Sequence, residues 1–201
     1  MHKGLKIIKK TFIETISVQG LKAKNLSYHQ SRLNQTISSN FGTDHKIDLQ
    51  NSITPPDTNF YRCRVIYDTK IIKIEYLPYV MKKLYSFKVL ESNIEYPYKN
   101  TNRAEIDELL SKKEDCDEII IAKNGLLRDT SIANIAIFKN NRWQSPHVPL
   151  LKGTMRAKLL DEKKIITANL TIDDLKKAKR FAIMNAMIGF VELQKFYIKP
   201  I

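Results

Sequence analysis

The sequence predicts a mixed α/β fold, and three observations carry that prediction. Short runs rich in β-branched residues recur along the chain, stretches with helical spacing separate them, and one run leads into Asn124-Gly125, the strongest short hairpin signal present. With 201 residues, 43% hydrophobic and 27% charged, the chain is long and apolar enough to bury a core in one or two modest domains. No internal repeat or low-complexity tract interrupts it.

Thr11 to Val18 is rich in β-branched residues and ends at Gln19-Gly20, which reads as a strand entering a turn. From Ser27 to Ser39, Tyr28, Arg32 and Leu33 fall at helical intervals, and Asn40-Phe41-Gly42 supplies the stop. A second helix is expected within Thr43 to Thr58, followed by a turn around Pro55-Pro56-Asp57. Phe60 to Tyr67 and Ile71 to Leu77 form a hairpin across Asp68-Thr69-Lys70, and Pro78 ends its second strand. Tyr79 to Lys83 reads as a crossing between domains, after which Tyr85 to Leu90 resumes a strand pattern. Arg103 to Lys113 places Ile106, Leu109 and Leu110 on one helical face, with acids early and lysines late as the helix dipole favours. Asp117 to Lys123, Leu126 to Arg128 and Asn134 to Phe138 read as strands, with a turn at Asn140-Asn141. Thr171 with Asp174 has the form of a capping box opening a short helix, and Arg180 to Asn185 returns to strand as the last one expected, with little chain remaining after it.

Composition narrows the function classes. Cys63 and Cys116 lie far apart and outside any ligand spacing, so neither a disulfide framework nor a metal site is expected, and a reducing cytoplasm fits best. The N-terminal run is broken by charge almost at once and no later stretch approaches membrane-spanning length, so a soluble, unsecreted protein is expected. A net charge of +13 raises nucleic acid as a partner, but the lysines are scattered singles and pairs without a long basic tract or an RNP-like motif. That distribution reads as a solvated surface whose field also favours anionic ligands.

Chemistry concentrates in separated stretches. They are Phe12-Ile13-Glu14-Thr15-Ile16 with Tyr28-His29-Gln30-Ser31-Arg32-Leu33, then Lys99-Asn100-Thr101-Asn102-Arg103, then Asn124 to Phe138, then Leu151-Lys152-Gly153-Thr154-Met155-Arg156, and last Phe181 to Met187. Taken singly each is weak: Lys99 reads as a solvated loop lysine, Arg32 as an exposed helix arginine, Asp129 as a turn cap and Gly153 as a common helix opening. In this order, however, they resemble the class IV aminotransferase family of fold type IV enzymes dependent on pyridoxal 5'-phosphate (PLP), most closely its 4-amino-4-deoxychorismate lyases.

The resemblance implies a smaller N-terminal α/β domain over residues 1–79, a linker at 80–84 and a larger C-terminal domain over 85–201, in the manner of D-amino-acid aminotransferase. It implies that Lys99, in a K-x-x-N-R element, forms the Schiff base with PLP and shuttles the substrate proton. Arg32, in H-x-x-R-L, is implied as a phosphate ligand, a role suited to a guanidinium. Asp129 takes the place where the G-x-x-x-E-x-x-x-x-N signature usually has glutamate; it has the charge to keep the pyridine nitrogen protonated but a shorter reach. Gly153 and Thr154, in L-x-G-x-x-R at the start of a helix, and Asn185 with Ala186 are implied as further phosphate contacts. Arg62, Arg64 and Arg103 are candidates for a substrate carboxylate. The implied activity is conversion of 4-amino-4-deoxychorismate to 4-aminobenzoate and pyruvate in folate biosynthesis by a homodimer. Transamination of branched-chain or D-amino acids is the alternative, and a basic nucleic-acid-binding protein is the alternative of a different class.

Overall fold

The structure, a computed structural model, describes residues 10–43 and 47–199. The charged N-terminal run lies outside these residues, as do positions 44–46 of the expected second helix. Two sheets organise the chain in a mixed α/β arrangement.

The first sheet comprises β1 (Phe12–Gln19), β2 (Lys22–Ala23), β3 (Tyr61–Tyr67) and β4 (Ile71–Pro78), antiparallel in the order β2-β1-β3-β4. Between β2 and β3 lie α1 (Leu26–Phe41) and α2 (Leu49–Ser52). Strand alternation sends Phe12, Ile16 and Val18 of β1 and Cys63 and Val65 of β3 to one face, where Leu33 and Ile37 of α1 cover them. Burying each of those two aliphatic chains contributes about 1.5–3 kcal/mol. The intervening positions, Ile13 and Thr15 on β1 and Arg62 and Arg64 on β3, are left to line a cavity on the other face.

The expected helix between Thr43 and Thr58 shrinks to the four residues of α2. Asp48 caps it by accepting from the Asn51 backbone N–H at 3.1 Å, but Ile53 is already extended and Pro55 and Pro56 cannot continue a helix.

The remaining elements are β5 (Ser86–Glu91), α3 (Ala104–Ser111), β6 (Glu118–Lys123), β7 (Leu126–Thr130), β8 (Asn134–Lys139), β9 (Arg142–Pro146), α4 (Thr154–Asp161), β10 (Ile165–Ala168), α5 (Ile172–Lys176), β11 (Phe181–Asn185), β12 (Gly189–Glu192) and β13 (Tyr197–Lys199). Their nine strands form one sheet in two halves: β13-β5-β6-β7, and β12-β11-β8-β9-β10. The halves meet at a single residue pair, Asp129 of β7 opposite Asn134 of β8. The isoleucine run of β6 is apolar throughout because both its faces are covered, Ile119 and Ile121 by α3 and Ile120 by the core that holds Phe87, Ile135 and Phe181. Asn124 (φ 53°) and Gly125 (φ 74°) make the left-handed turn that the hairpin signal requires. Contrary to expectation, the chain after Asn185 adds two strands, and β13 extends the sheet by pairing in parallel with β5.

Candidate active site

A cavity of about 350 Å³ opens between the free face of the first sheet and the seam of the second. Every residue singled out from the sequence lines it: Arg32, Arg62, Arg64, Lys99, Arg103, Asp129, Gly153, Thr154, Asn185 and Ala186. Its volume falls in the range of small-molecule sites.

Lys99 reaches the cavity because β2 covers only the far end of β1. The free edge near Phe12 and Ile13 pairs instead with the Lys99 segment: Ile13 N–H donates to the Lys99 carbonyl at 2.9 Å, and Thr101 N–H to the Thr11 carbonyl at 3.0 Å. Asn102 then opens α3 by accepting from the Ala104 N–H at 3.1 Å. Burial, followed by the positive charges of Arg32, Arg103 and Arg64, lowers the Lys99 amine to about 8 although Glu14 opposes the shift. A much larger fraction of it is therefore the free, nucleophilic amine at neutral pH than for an exposed lysine.

Asp129 sits at the seam with 3% exposure. Its Oδ1 accepts from Asn134 Nδ2 and its Oδ2 from the Leu151 backbone N–H, both at 2.8 Å. Burial dominates these bonds and pushes the carboxyl up to about 6.

Arg32 is placed by a network with Glu14 and His29, two residues of the same sequence stretches to which the motifs assign no role. Glu14 points from β1 toward α1, where its Oε1 accepts from Arg32 Nε at 2.9 Å and its Oε2 from Arg32 Nη2 at 2.5 Å. Oε2 also accepts from His29 Nδ1 at 2.6 Å, and His29 Nε2 lies 3.3 Å from the Thr154 hydroxyl. Burial of Glu14 opposes ionisation, but the Arg32 guanidinium and the His29 hydrogen bond together hold it at about 2. His29, pushed down by burial, is neutral; because ionised Glu14 only accepts, Nδ1 carries the hydrogen and Nε2 accepts from Thr154. The pattern gives the place of each but not their pairing: Glu14 occupies the buried phase of β1 and His29 stands one helical turn before Arg32.

Thr154 is the first residue of α4, and the start of that helix, Gly153 and Thr154, lines the cavity together with Arg32, whose Nη1 lies 3.4 Å from the Lys152 carbonyl. The Asn185 side chain is occupied with shaping a turn: it donates to the Ile132 carbonyl at 3.2 Å and accepts from the N–H groups of Met187 and Ile188 at 2.9 and 3.1 Å. Arg64 pairs with Glu75 at 3.1 Å, and Arg103 donates to the Ser131 carbonyl at 3.0 Å. The buried Nε of Arg62 has no partner among the described residues.

Residues 65–196 match the family described as amino-transferase class IV. The chain belongs to the class IV aminotransferase family. An uncharacterized protein of Haemophilus influenzae is 33% identical over 182 residues, 88% of this chain and 97% of that protein. Among solved structures, a protein of Haemophilus somnus 129PT provisionally assigned as a 4-amino-4-deoxychorismate lyase is similar at TM-score 0.79 and 33% identity, over 90% of this chain and 98% of that one. At 14% identity the fold alone is shared with a hypothetical aminotransferase of Mycobacterium tuberculosis in its PLP-bound form, at TM-score 0.74 over 98% of this chain and 87% of that one. As a class IV aminotransferase the chain is a PLP-dependent enzyme. Its donor set suits that cofactor: a buried amine of lowered basicity, a buried carboxylate without a bonded cation, and a guanidinium beside a helix N-terminus. No helix among the described residues is long and apolar enough to cross a membrane.

Proposed function

We propose that this class IV aminotransferase is a cytoplasmic, homodimeric lyase that converts 4-amino-4-deoxychorismate to 4-aminobenzoate and pyruvate for folate synthesis. The observation that carries the reading is the charge of the cavity. Beyond Arg32 at the phosphate end, three further guanidiniums, Arg62, Arg64 and Arg103, line it. A substrate amine with two carboxylates matches that excess, and 4-amino-4-deoxychorismate has two.

When bound, PLP supplies an electrophilic carbon that captures amines and an electron-poor ring that withdraws charge from a bond broken beside the amine. The chain's residues divide the remaining work. Arg32 and the backbone N–H groups at Gly153, Thr154 and Ala186 hold the phosphate. Lys99 Nζ would be the covalent anchor for the cofactor, and its free amine would take the proton from the carbon bearing the substrate amine. Asp129 would keep a proton on the ring nitrogen by offering it a negatively charged acceptor. Arg62, Arg64 and Arg103 orient the carboxylates so that the enolpyruvyl group leaves as pyruvate.

Supplying 4-amino-4-deoxychorismate to the PLP-loaded protein is expected to yield 4-aminobenzoate and pyruvate in equal amounts. Lys99→Ala removes the cofactor's visible absorption band and slows turnover by about 10⁴-fold or more. Absence of 4-aminobenzoate, together with amino transfer between branched-chain or D-amino acids and keto acids, replaces the lyase by an aminotransferase.

A further inference from the structure

Gly153 is a glycine for a reason its backbone does not supply. Its φ of −71° and ψ of 144° are open to any residue, and it stands at the N-cap of α4, where serine, threonine or aspartate would add a hydrogen bond. A side chain there meets one neighbour: a Cβ would lie 2.0 Å from Oδ1 and 3.1 Å from Cγ of Asn134.

Asn134 is itself 5% exposed and fully committed on its Nδ2 side. One hydrogen goes to Asp129 Oδ1 and the other to the Leu151 carbonyl, each at 2.8 Å, while the Leu151 N–H returns to Asp129 Oδ2. The three residues close a ring that ties the seam of the large sheet to the segment entering α4. The turn between Asp129 and Asn134 sets them opposite each other, with the Thr130 hydroxyl accepting from the N–H groups of Ile132 and Ala133 at 3.2 and 2.9 Å. This turn accounts physically for the four-residue gap between the acid and the asparagine.

We propose that Asn134 is the positioning residue for Asp129, and that position 153 is glycine to leave room for the Asn134 amide. The inference rests on reading Asp129 as the partner of the cofactor's ring nitrogen. Asn134 aims the carboxylate and donates a hydrogen bond that favours its ionised form. The other groups facing Asp129 are the backbone N–H groups of Leu150 and Leu151 and the charge of Arg156, whose guanidinium is tied to the Ser145 hydroxyl and the Pro146 carbonyl. Losing the Asn134 amide therefore tilts Asp129 toward its protonated, non-functional state. A methyl at position 153 acts on the same bond from the other side by pushing the amide away, so the two substitutions are coupled.

The test uses the full chain as wild type, Asn134→Ala, Gly153→Ala and the double variant. For each, the pH titration of the bound cofactor's visible spectrum is recorded, with dissociation constants for PLP and for pyridoxal, which lacks the phosphate. Both single substitutions are expected to move the titration in the same direction by about one pH unit or more. Gly153→Ala is expected to add nothing once Asn134 is alanine. The proposal is overturned if Asn134→Ala leaves the titration unchanged while Asp129→Asn alters it. It is also overturned if Gly153→Ala weakens PLP but not pyridoxal equally in both backgrounds, since glycine then serves the phosphate alone. Should Gly153→Ala not fold, the double variant is expected to fold, and its failure to do so overturns the proposal. A wild-type chain that binds neither PLP nor pyridoxal sinks the cofactor assignment of Asp129 itself, and this inference with it.

Discussion

Glu14 and Asp129 both lie out of solvent near the cavity, at 0% and 3% exposure, yet one is held at about 2 and the other at about 6. Burial pushes both upward, so the partners make the difference. Glu14 is gripped by both Nε and Nη2 of Arg32 and by His29, which outweighs the desolvation. Asp129 receives neutral donors only, from Asn134 and Leu151, and Arg156, whose charge it feels, is bonded elsewhere. Glu14 is thus a completed ion pair that fixes architecture. Asp129 is held by neutral donors alone, which is the arrangement that the proposed pairing with the ring nitrogen of PLP requires.

Breaking the completed pair is expected to cost the most. Glu14→Gln leaves Arg32 buried without its counter-charge and lowers unfolding free energy by about 3–5 kcal/mol, read by urea denaturation of the cofactor-free protein. The pH dependence has a defined sign. The folded value of Glu14 lies below its ordinary 4.5, so its contribution is present above pH 4.5 and is lost as pH falls toward about 2. A Glu14→Gln protein as stable as wild type at neutral pH would mean that Arg32 needs no fixed counter-ion.

Asp129→Asn sharpens the contrast from the other side. It is expected to lower kcat by about 10²–10³-fold, as removal of a preorganised charge does, with a smaller effect on PLP affinity. Its stability signature is opposite to that of Glu14. The folded value lies above the ordinary 3.8, so the folded state binds more protons between pH 3.8 and about 6, and stability falls as pH rises through that window. Denaturation of cofactor-free Asp129→Asn should lack that fall; if the slope persists, Asp129 is not the group that titrates.

The same contrast explains what the sequence disclosed. Lys99 and Asp129 stand out in the sequence only through the resemblance of their stretches to spaced family elements, and the structure brings both to one cavity. Glu14 and His29 give no signal of their pairing in the sequence, because the strand and the helix that bring them together meet by packing that no local spacing records. The fold divides similarly. The isoleucine run of β6, the Asn124-Gly125 turn and the capping box at Thr171 and Asp174 are local features and survive intact in the structure. The helix at α2, shorter than the expected span, and the overlooked β12 and β13 depend on tertiary packing, β13 being three residues long and paired with β5.

The smallest expected effect lies among the arginines, and it turns on the same question of who already holds the charge. Arg64 shares its charge with Glu75, which also binds Lys73 at 2.6 Å, and Arg103 is tied to the Ser131 carbonyl. Arg62 lines the cavity and pairs with no carboxylate among the described residues, so its charge is the least committed of the three. Arg62→Ala is therefore expected to raise KM for the dicarboxylate substrate by about tenfold or more with kcat little changed, and Arg64→Ala to raise it less. Steady-state kinetics of the two variants decide the matter. A larger penalty at Arg64 would show that Glu75 orients that guanidinium for the substrate instead of neutralising it.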